Sequence, residues 1–479
     1  MEHTSVIQET KIVLEPGTHV HLVGIGGFGM SAIARVLVGQ GYRVSGSDLQ
    51  LNDITAALLE LGVVIYEGHR AENIAGADIV LISSAIPDDN PEIVFAKERE
   101  LPVVKRYYFL SVLTAGTRTI AVAGTHGKTT TTSLIAKIML EADMDPSIIV
   151  GGILPDIGGN GRAGSGGYFL IEADEYDHMF LGLNPSISAV TNIEFDHPDI
   201  FPTKESYQRA FQEYVLRHKR GSLIVVNADD QIAQELVSNN VGPGVRIETY
   251  GLKSGYWRAL EVRPNQVGGT DFVVQKDGID LGVARLRIPG THNVQNALAA
   301  IAVTSSLGLE LHEIHRALGN FGGVNRRFEI KGEVGSVMVI DDYAHHPTEI
   351  RATLKAARER FPGRAIWAIW QPHTYSRIKY LLNDFETCFA EAGHVVALDV
   401  FKSRERNDLN VRGEEIASAI NHPNISYQGS IDSAAEFILD RVIPGDVLIT
   451  LTAGDGNIVG IKVLEGLRRR LLNGNNATR

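Results

Sequence analysis

Residues 119–130 read Thr-Ile-Ala-Val-Ala-Gly-Thr-His-Gly-Lys-Thr-Thr, a short apolar run followed by a glycine-rich turn and the start of a helical pattern. The glycines let the backbone curl so that several N–H groups face one point, where the positive end of the helix also lies. Lys128 can reach the outer phosphates of a nucleotide, and the Thr129 hydroxyl can ligate Mg²⁺. We therefore predict an ATP-binding loop formed by Gly124, Thr125, His126, Gly127, Lys128, Thr129 and Thr130.

This loop departs from the common phosphate-binding pattern. Gly-x-x-x-x-Gly-Lys-Thr requires glycine at position 122, where this chain has Val122, so the loop is the shorter Gly-x-x-Gly-Lys-Thr form. The alternative interpretation is an ordinary glycine-rich turn. The apolar run before the loop and the helical pattern after it favour the phosphate-binding interpretation.

The overall composition is that of a globular protein. The chain has 479 residues, 44% of them hydrophobic and 21% charged, and about 150 residues per domain predicts about three domains. The formal charge of −12 argues against general binding of nucleic acid or of an anionic membrane, because no basic excess is available to neutralise phosphates. Cys388 is the sole cysteine, which excludes an intrachain disulfide and a cysteine-based metal cluster. The first residues lack a signal-peptide pattern, and no run of about 18 apolar residues is present, so we expect a cytoplasmic protein.

Short β-branched runs alternate with helical patterns along the chain, which predicts an α/β fold with largely parallel sheets. Strand–loop–helix starts near residues 19, 119 and 337 each predict a separate sheet. Residues 240–290, richer in glycine and in alternating patterns, predict an antiparallel patch within the middle domain. We expect a Rossmann-like N-terminal domain, a P-loop-type central domain and a Rossmann-like C-terminal domain, at residues 1–112, 113–325 and 326–479.

A second glycine-rich turn, Gly24-Ile25-Gly26-Gly27-Phe28-Gly29, follows the apolar run at 19–23 and matches Gly-x-Gly-x-x-Gly. Asp48 lies near the end of the next predicted strand. The pattern is typical of a dinucleotide fold, but any diphosphate, including that of a nucleotide sugar, suits the same loop. A tight turn that packs a helix on a strand is the plain alternative.

Acidic and histidine residues end two predicted strands of the middle domain. Glu172-Ala173-Asp174-Glu175 follows the strand at 168–172, and Asp196-His197 follows the strand at 187–192. Since adjacent parallel strands end side by side, these residues are candidates for a Mg²⁺ site, although acidic turns are often simply solvated.

Four further polar segments are candidates for binding. Asn293 is a plausible helix N-cap, whereas an Asn amide such as Asn296 can also read an adenine edge. Arg326-Arg327 can grip phosphate, with a surface ion pair as the alternative. The remaining polar segments are Asp341–Pro347 and Gln371–Arg377.

Three nucleotide- or phosphate-suited α/β units in one chain suggest two phosphorylated ligands and a third domain that closes over them. ATP together with another diphosphate compound suggests a ligase or a kinase. The order of these motifs resembles the Mur ligases of peptidoglycan synthesis over essentially the whole chain, most specifically in Gly-Thr-His-Gly-Lys-Thr-Thr, Asp-Asp-Tyr-Ala-His-His-Pro-Thr-Glu and Gln-Pro-His-x-Tyr-Ser-Arg. The resemblance is closest to the branch that adds L-alanine. It implies ATP, Mg²⁺, UDP-N-acetylmuramate and L-alanine as ligands, and an acyl phosphate made from the lactyl carboxylate of the sugar.

The resemblance also implies roles for individual residues. Lys128, Glu172, His197, His345 and Arg377 correspond to the catalytic set, and Thr129, Glu172 and His197 to the metal ligands. The other implied contacts are with ATP at His292, Asn293, Asn296, Arg327 and Asp342, with the UDP-sugar at Gly26, Gly27, Gly29 and Asp48, and with the amino acid or phosphate at Tyr343 and His373.

Two departures from the family pattern bear on this assignment. Many relatives carry Arg where this chain has Thr374, so we expect that cation to be missing or supplied by Lys402 or Arg404. Residues 207–213 contain no lysine, where other Mur ligases place a carbamylated one, and this absence agrees with the alanine-adding branch.

Three alternatives stay open at this point. A recycling ligase that attaches a whole tripeptide to the same UDP-sugar shares the first two domains. An NAD(P)-dependent oxidoreductase with an accessory ATP site predicts nicotinamide binding at Gly24–Gly29. A non-catalytic nucleotide-sugar sensor predicts binding without phosphate release.

Overall fold

The computed structural model describes residues 12–403, 405–407 and 409–476, and three β-sheets lie within these ranges. The strands that follow one another along the chain are mostly parallel and are joined by helices, so the prediction of an α/β fold with three domains is confirmed. None of the helices in the described part of the chain is long and apolar enough to cross a bilayer.

The first sheet has the order β3-β2-β1-β4-β5, and all its strands run parallel. Its central strand is buried along its whole length, as expected for a parallel strand covered on both faces. The elements are β1 (His19–Val23), α1 (Phe28–Gly39), β2 (Arg43–Asp48), α2 (Asp53–Leu59), β3 (Val64–Glu67), β4 (Ile79–Ile82), α3 (Pro91–Glu98), β5 (Val103–Lys105) and α4 (Arg106–Leu113).

The second sheet has ten described strands in the order β15-β14-β13-β12-β11-β10-β6-β9-β7-β8. Its elements are β6 (Arg118–Ala123), α5 (Lys128–Glu141), β7 (Ser147–Leu154), β8 (Gly159–Arg162), β9 (Tyr168–Glu172), β10 (Ile187–Val190), α6 (Lys204–Val215), β11 (Leu223–Asn227), α7 (Gln231–Asn240), β12 (Arg246–Gly251), β13 (Trp257–Pro264), β14 (Thr270–Lys276), β15 (Ile279–Leu286), α8 (Thr291–Ser306) and α9 (Leu311–Asn320).

The antiparallel patch predicted within residues 240–290 is confirmed for β13, β14 and β15 only. β12 pairs in parallel with both β11 and β13, so the first antiparallel pair in this region is β13–β14. The parallel part of the sheet matters most for the site. Strands β10, β6 and β9 are neighbours, and their carboxyl ends lie side by side.

The third sheet has the order β16-β17-β21-β18-β19-β20, with an antiparallel edge at β16 and parallel pairs elsewhere. Its elements are β16 (Glu329–Val334), β17 (Val337–Asp342), α10 (Pro347–Arg360), β18 (Ile366–Trp370), α11 (Tyr375–Phe385), β19 (His394–Leu398), α12 (Gly413–Ala419), β20 (Ile425–Gly429), α13 (Ile431–Leu439), β21 (Val447–Leu451) and α14 (Ile458–Asn476). Short 3₁₀ turns lie at Ala71–Ile74, Pro155–Ile157 and Tyr176–Gly182.

Helix α1 of the first sheet's domain packs on strands β7 and β8 of the second. The buried Asn160 side chain donates from Nδ2 to the Phe28 carbonyl at 2.7 Å and to the Ser31 hydroxyl at 2.9 Å. A Cβ at Gly161 would lie 2.3 Å from the Ala32 carbonyl oxygen. The close approach of α1 therefore depends on the absence of a side chain at this position.

We expect Gly161→Ala to lower the melting temperature, because the added methyl group meets backbone that has little freedom to move away. The cost should be about 1–3 kcal/mol, as for overpacking elsewhere. Gly319→Ala is the matched control, since a Cβ there meets nothing within 4 Å and the residue lies in helix α9. Thermal unfolding followed by circular dichroism compares the two, and equal melting temperatures for Gly161→Ala and the wild type would contradict the packing argument.

Candidate active site

The glycine-rich loop between β6 and α5 is held against the neighbouring strand β10. Gly124 and Gly127 have φ of 132° and 81°, the left-handed range that favours glycine. A Cβ at Gly124 would lie 2.0 Å from Thr191 Oγ1, and one at Gly127 would lie 2.4 Å from Asn296 Oδ1. Both glycines are therefore required by backbone conformation and by space.

Two amides of the loop have partners within the protein. Thr125 N–H donates to the Asn192 carbonyl and His126 N–H to Asn192 Oδ1, both at 2.9 Å. These two amides are therefore not among those that can bind a phosphate. The start of α5, from Gly127 onward, is the part of the loop whose amides are placed to receive a phosphate.

Lys128 lies at the start of α5 and is largely buried, with 11% of its side chain exposed. Its Nζ donates to the carbonyls of Gly124 (2.6 Å) and Thr125 (3.0 Å) and to Glu175 Oε2 (2.8 Å). Burial alone lowers the pKa of this ammonium, but Glu175 and the other nearby carboxylates outweigh it and raise the pKa. Lys128 is therefore a fixed positive charge. Glu175, its partner, is fully buried; the sequence pattern placed it in the acidic segment Glu172–Glu175 but did not predict its pairing with Lys128.

The oxygen atoms beside Lys128 fit a magnesium ion. Thr129 Oγ1 donates to Glu172 Oε1 at 3.0 Å, and Gly151 N–H donates to Glu172 Oε2 at 2.7 Å. Burial raises the pKa of Glu172, against the lowering effect of Lys128. A hydroxyl and a carboxylate in contact are hard oxygen donors of the kind that Mg²⁺ prefers.

His197 lies at the same end of the sheet, with φ of 55°. Its Nε2 is 3.6 Å from Glu175 Oε1 and 3.8 Å from Asp196 Oδ2, so the structure brings it to the carboxylate that also holds Lys128. The loops after β6, β9 and β10 thus meet as the strand order predicts, with Glu175 at their centre.

A buried ion pair joins the middle and C-terminal domains. Arg377 Nε and Nη2 donate to the two carboxylate oxygens of Asp196 at 2.8 and 3.2 Å, and Nη1 donates to the His373 carbonyl at 2.8 Å. Burial raises the pKa of Asp196, but the guanidinium outweighs it and holds that pKa well below its usual range. Both side chains are charged, and the pair places the loop before α11 next to His197.

Two neutral histidines lie beside this pair. The rings of His345 and His373 are 5.5 Å apart, and burial lowers the pKa of both, that of His345 to about 4. His345 Nδ1 donates to the Tyr343 carbonyl at 2.9 Å, which leaves its Nε2 as a lone-pair acceptor. The Tyr343 ring faces the guanidinium groups of Arg326 and Arg327.

A cavity of about 330 Å³ opens between the middle and C-terminal domains next to the loop. Among its lining residues are His126, Gly127, Thr130, His292, Asn293, Asn296, Arg327 and Asp342. Burial raises the pKa of Asp342 to about 6 and lowers that of His292 to about 4. Apart from Lys128 and Thr129, ten residues were assigned to ATP, and eight of these line the cavity; the other two are Gly124 and Thr125.

Asn293 does not cap helix α8, contrary to the plain interpretation of the sequence. The N-cap is Gly290, and Asn293 Nδ2 instead donates to the Pro289 carbonyl at 2.7 Å. Asn296 Nδ2 donates to Asn293 Oδ1 at 3.2 Å, which fixes the two amides relative to each other at the cavity wall.

Asp48 stabilises the N-terminal glycine-rich loop through a hydrogen bond within the same domain. Asp48 Oδ2 accepts from Gly26 N–H at 2.8 Å, and Gly27 is the N-cap of α1 without a side-chain partner. A Cβ at Gly29 would lie 1.8 Å from an Arg106 nitrogen, so this glycine makes room for a guanidinium. The loop therefore combines an open helix start with a nearby cation.

Thr374, which stands where many relatives carry arginine, is bound to a carboxylate. Its hydroxyl donates to Glu405 Oε1, and Ser376 N–H donates to Glu405 Oε2 at 2.9 Å. Lys402 is exposed. Arg404, the other candidate for the missing cation, lies outside the described residues.

His126 links the two domains through two carboxylates that the sequence did not single out. Its Nε2 is 2.9 Å from Glu194 Oε2 and its Nδ1 is 3.2 Å from Glu349 Oε1. Thr348 Oγ1 donates to the other oxygen of Glu194 at 2.8 Å. Burial lowers the pKa of His126, but the two carboxylates outweigh it and raise the pKa to about 9.

A charged lysine at a helix start, beside a cavity between two α/β domains, is typical of a nucleotide-binding protein. Family models match the chain in three consecutive segments. Residues 19–118 match the Mur ligase family catalytic domain, residues 122–304 the Mur ligase middle domain, and residues 326–454 the Mur ligase glutamate ligase domain.

Individual relatives cover nearly the whole chain. The UDP-N-acetylmuramate–L-alanine ligase of Acetivibrio thermocellus is 40% identical, over 96% of this chain and 97% of its own. The ligase of the same name from Geotalea uraniireducens is 42% identical, over 94% and 98%. The protein therefore belongs to the Mur ligase family.

Solved structures agree with this placement. The crystal structure of UDP-N-acetylmuramate-alanine ligase MurC from Thermotoga maritima superimposes with a TM-score of 0.81 at 30% identity, covering 94% of this chain and 99% of that one. A murein peptide ligase from Psychrobacter arcticus gives a TM-score of 0.73 at 26% identity, with the same coverage.

The charge on His126 makes the stability of the domain interface depend on pH. The folded-state pKa lies above the ordinary value of 6.5, so the stabilisation is complete below about pH 6.5 and is lost as the pH rises through about 9. A shift of this size corresponds to about 3 kcal/mol. We expect the difference in unfolding free energy between the wild type and His126→Gln to shrink over this range.

The measurement is urea unfolding across that pH range in buffer with a metal chelator. His312→Gln, at an exposed position of helix α9, is the control and should track the wild type at every pH. A difference between wild type and His126→Gln that stays constant would show that the charge on His126 is not what holds Glu194 and Glu349.

Proposed function

We propose that this protein is an ATP-dependent ligase that joins L-alanine to the lactyl carboxylate of UDP-N-acetylmuramate, a step in the synthesis of cell-wall peptidoglycan. The observation that carries the proposal is the likeness to L-alanine ligases at about 40% identity over nearly the full length of both chains, C-terminal domain included. Because its substrates are ATP and a UDP-sugar, we place the reaction in the cytoplasm.

In this proposal the loop at the start of α5 activates the sugar carboxylate. The carboxylate attacks the γ-phosphate of ATP, and an acyl phosphate and ADP result. The sugar carboxylate and the phosphates of ATP are anionic and converge in this step. The fixed positive charge of Lys128 offsets their repulsion. Thr129 and Glu172 would hold Mg²⁺, with His197 at the same strand ends, and the ion would add further positive charge at the phosphates.

The second step takes place at the C-terminal side. The alanine ammonium has to lose a proton before its nitrogen can attack the acyl phosphate, and phosphate then leaves. His345 is suited to accept this proton, because it is neutral and its Nδ1 is occupied by the Tyr343 carbonyl, which leaves Nε2 as the base. His373 and Arg377 lie next to it and position the amino acid and the leaving phosphate.

The two nucleotides occupy different domains. ATP lies in the cavity between the middle and C-terminal domains, with the adenine on the side of His292, Asn293 and Asn296 and the rest of the nucleotide near Arg327 and Asp342. The UDP-sugar lies at the N-terminal glycine loop, and we assign its contacts to Gly26, Gly27, Gly29 and the neighbourhood of Asp48.

We expect Lys128→Ala to reduce ATP-dependent ligation by about 10²–10³-fold or more, the usual effect of removing one electrostatic contact to a transition state. Lys137→Ala on the same helix is the control, since that lysine pairs with Glu141 and Asp156 instead. Product formation is followed by chromatography. Thermal unfolding accompanies it, because the change leaves Glu175 buried without its partner. Full ligation by a folded Lys128→Ala protein would refute the assigned role.

We expect phosphate release from ATP to require both UDP-N-acetylmuramate and an amino acid, with L-alanine preferred over glycine by about 1–3 kcal/mol, the range for one methyl group. The assay offers L-alanine, L-serine, glycine and the free cell-wall tripeptide in turn. A preference for the tripeptide would favour a recycling ligase. Quenching of NADH fluorescence that a UDP-sugar does not reverse would favour an oxidoreductase.

A further inference from the structure

Three potential metal ligands meet at the interface of the middle and C-terminal domains, away from Thr129 and Glu172. His126 and Glu194 belong to the middle domain, and His346 stands at the start of α10. One ligand atom from each lies within 4.8 Å of the other two. Within the part of the chain that the structure describes, these three residues form the one group of this kind.

His346, one of the three residues, has a buried ring nitrogen without a hydrogen-bond partner in the described part of the chain. The residue is 2% exposed, its ring lies 4.6 Å from that of His126, and the nitrogen is Nε2. Its Nδ1 accepts from Thr348 N–H at 3.3 Å as the helix cap. A buried polar atom without a partner is costly, so its presence points to a ligand that it binds.

The side chains of His126 and Glu194 are each held in position by a further hydrogen bond. His126 Nδ1 contacts Glu349 Oε1 at 3.2 Å, which directs Nε2 toward Glu194. The second oxygen of Glu194 accepts from Thr348 at 2.8 Å. A carboxylate behind a histidine is the arrangement that fixes metal-binding imidazoles in proteins.

We propose that His126, Glu194 and His346 bind a divalent transition-metal ion of the Zn²⁺ class, which bridges the two domains. Two imidazoles and one carboxylate are the donor set of many zinc sites, whereas Mg²⁺ prefers oxygen alone. The ion takes the place of the proton on His126. Coordination through His346 Nε2 moves the proton of that ring to Nδ1, which gives up the long contact to Thr348.

This site inhibits the enzyme when it is filled. His126 and Glu194 also line the nucleotide cavity, and a metal ion that ties them to α10 holds the domains at a fixed separation. Entry and release of a nucleotide require that separation to change. The site thus goes beyond the proposed ligase reaction and does not depend on which amino acid is added.

Co²⁺ is the probe for the test, because the intensity of its visible absorption distinguishes tetrahedral nitrogen and oxygen coordination from the free aqueous ion. The full-length protein, free of nucleotide and stripped with a chelator, is titrated with Co²⁺ and then with Zn²⁺. His346→Asn removes the metal-binding nitrogen and keeps a good helix cap. His312→Asn, at an exposed site, is the matched control.

We expect one Co²⁺ per chain with an intense tetrahedral spectrum that Zn²⁺ abolishes. The affinity for Co²⁺ should be unchanged in His312→Asn and lower by about 10–100-fold or more in His346→Asn, because loss of a direct ligand should cost at least as much as loss of a residue that only orients one. Zn²⁺ should inhibit ligation by the wild type, relative to its own rate without Zn²⁺, at lower concentration than it inhibits His346→Asn. Circular dichroism confirms that both variants are folded. Equal binding by the wild type and His346→Asn, or a spectrum of the aqueous ion only, overturns the proposal.

Discussion

The charge balance around Lys128 is the constraint on which the rest of the site depends. Its ammonium is buried, and an isolated buried charge costs far more than folding can offset. Glu175 supplies the opposite charge at 2.8 Å, and the carbonyls of Gly124 and Thr125 complete its contacts. The strand order β10-β6-β9 is what makes this possible, since it brings the loop and the acidic segment to one edge of the sheet.

Opposite charges are also paired at the interface between the middle and C-terminal domains. Arg377 and Asp196 are both buried, and removing one partner of such a pair typically costs about 3–5 kcal/mol. His126, which lies between Glu194 and Glu349, is a second charged contact. It is weakened when the histidine loses its proton. An interface made of paired charges can separate into water at lower cost than an apolar one, because each charge regains its hydration. A ligase whose substrates enter between domains requires this property.

The buried strands and the glycine-rich loops could be predicted, because each has a recognisable pattern within a short stretch of sequence. Strand β6 is a β-branched run buried on both faces, and the glycine turn follows directly. Edge strands such as β8, Gly-Asn-Gly-Arg, carry no apolar pattern and were missed. Contacts across domains leave no local signal either. His126 and Glu349 are 223 residues apart, and only the folded chain shows that they meet.

Val122 explains why the phosphate loop is short. This residue is fully buried in β6 and belongs to the hydrophobic core of the middle domain, so a glycine there would leave a cavity. The loop consequently starts only at the end of the strand. Asn192 of the neighbouring strand's loop then binds the Thr125 and His126 amides. Part of the loop is thereby fixed before any phosphate arrives, and the start of α5 with Lys128 is left to meet the ligand. A pattern of glycine spacing indicates that a phosphate binds, but not which amides are free to bind it.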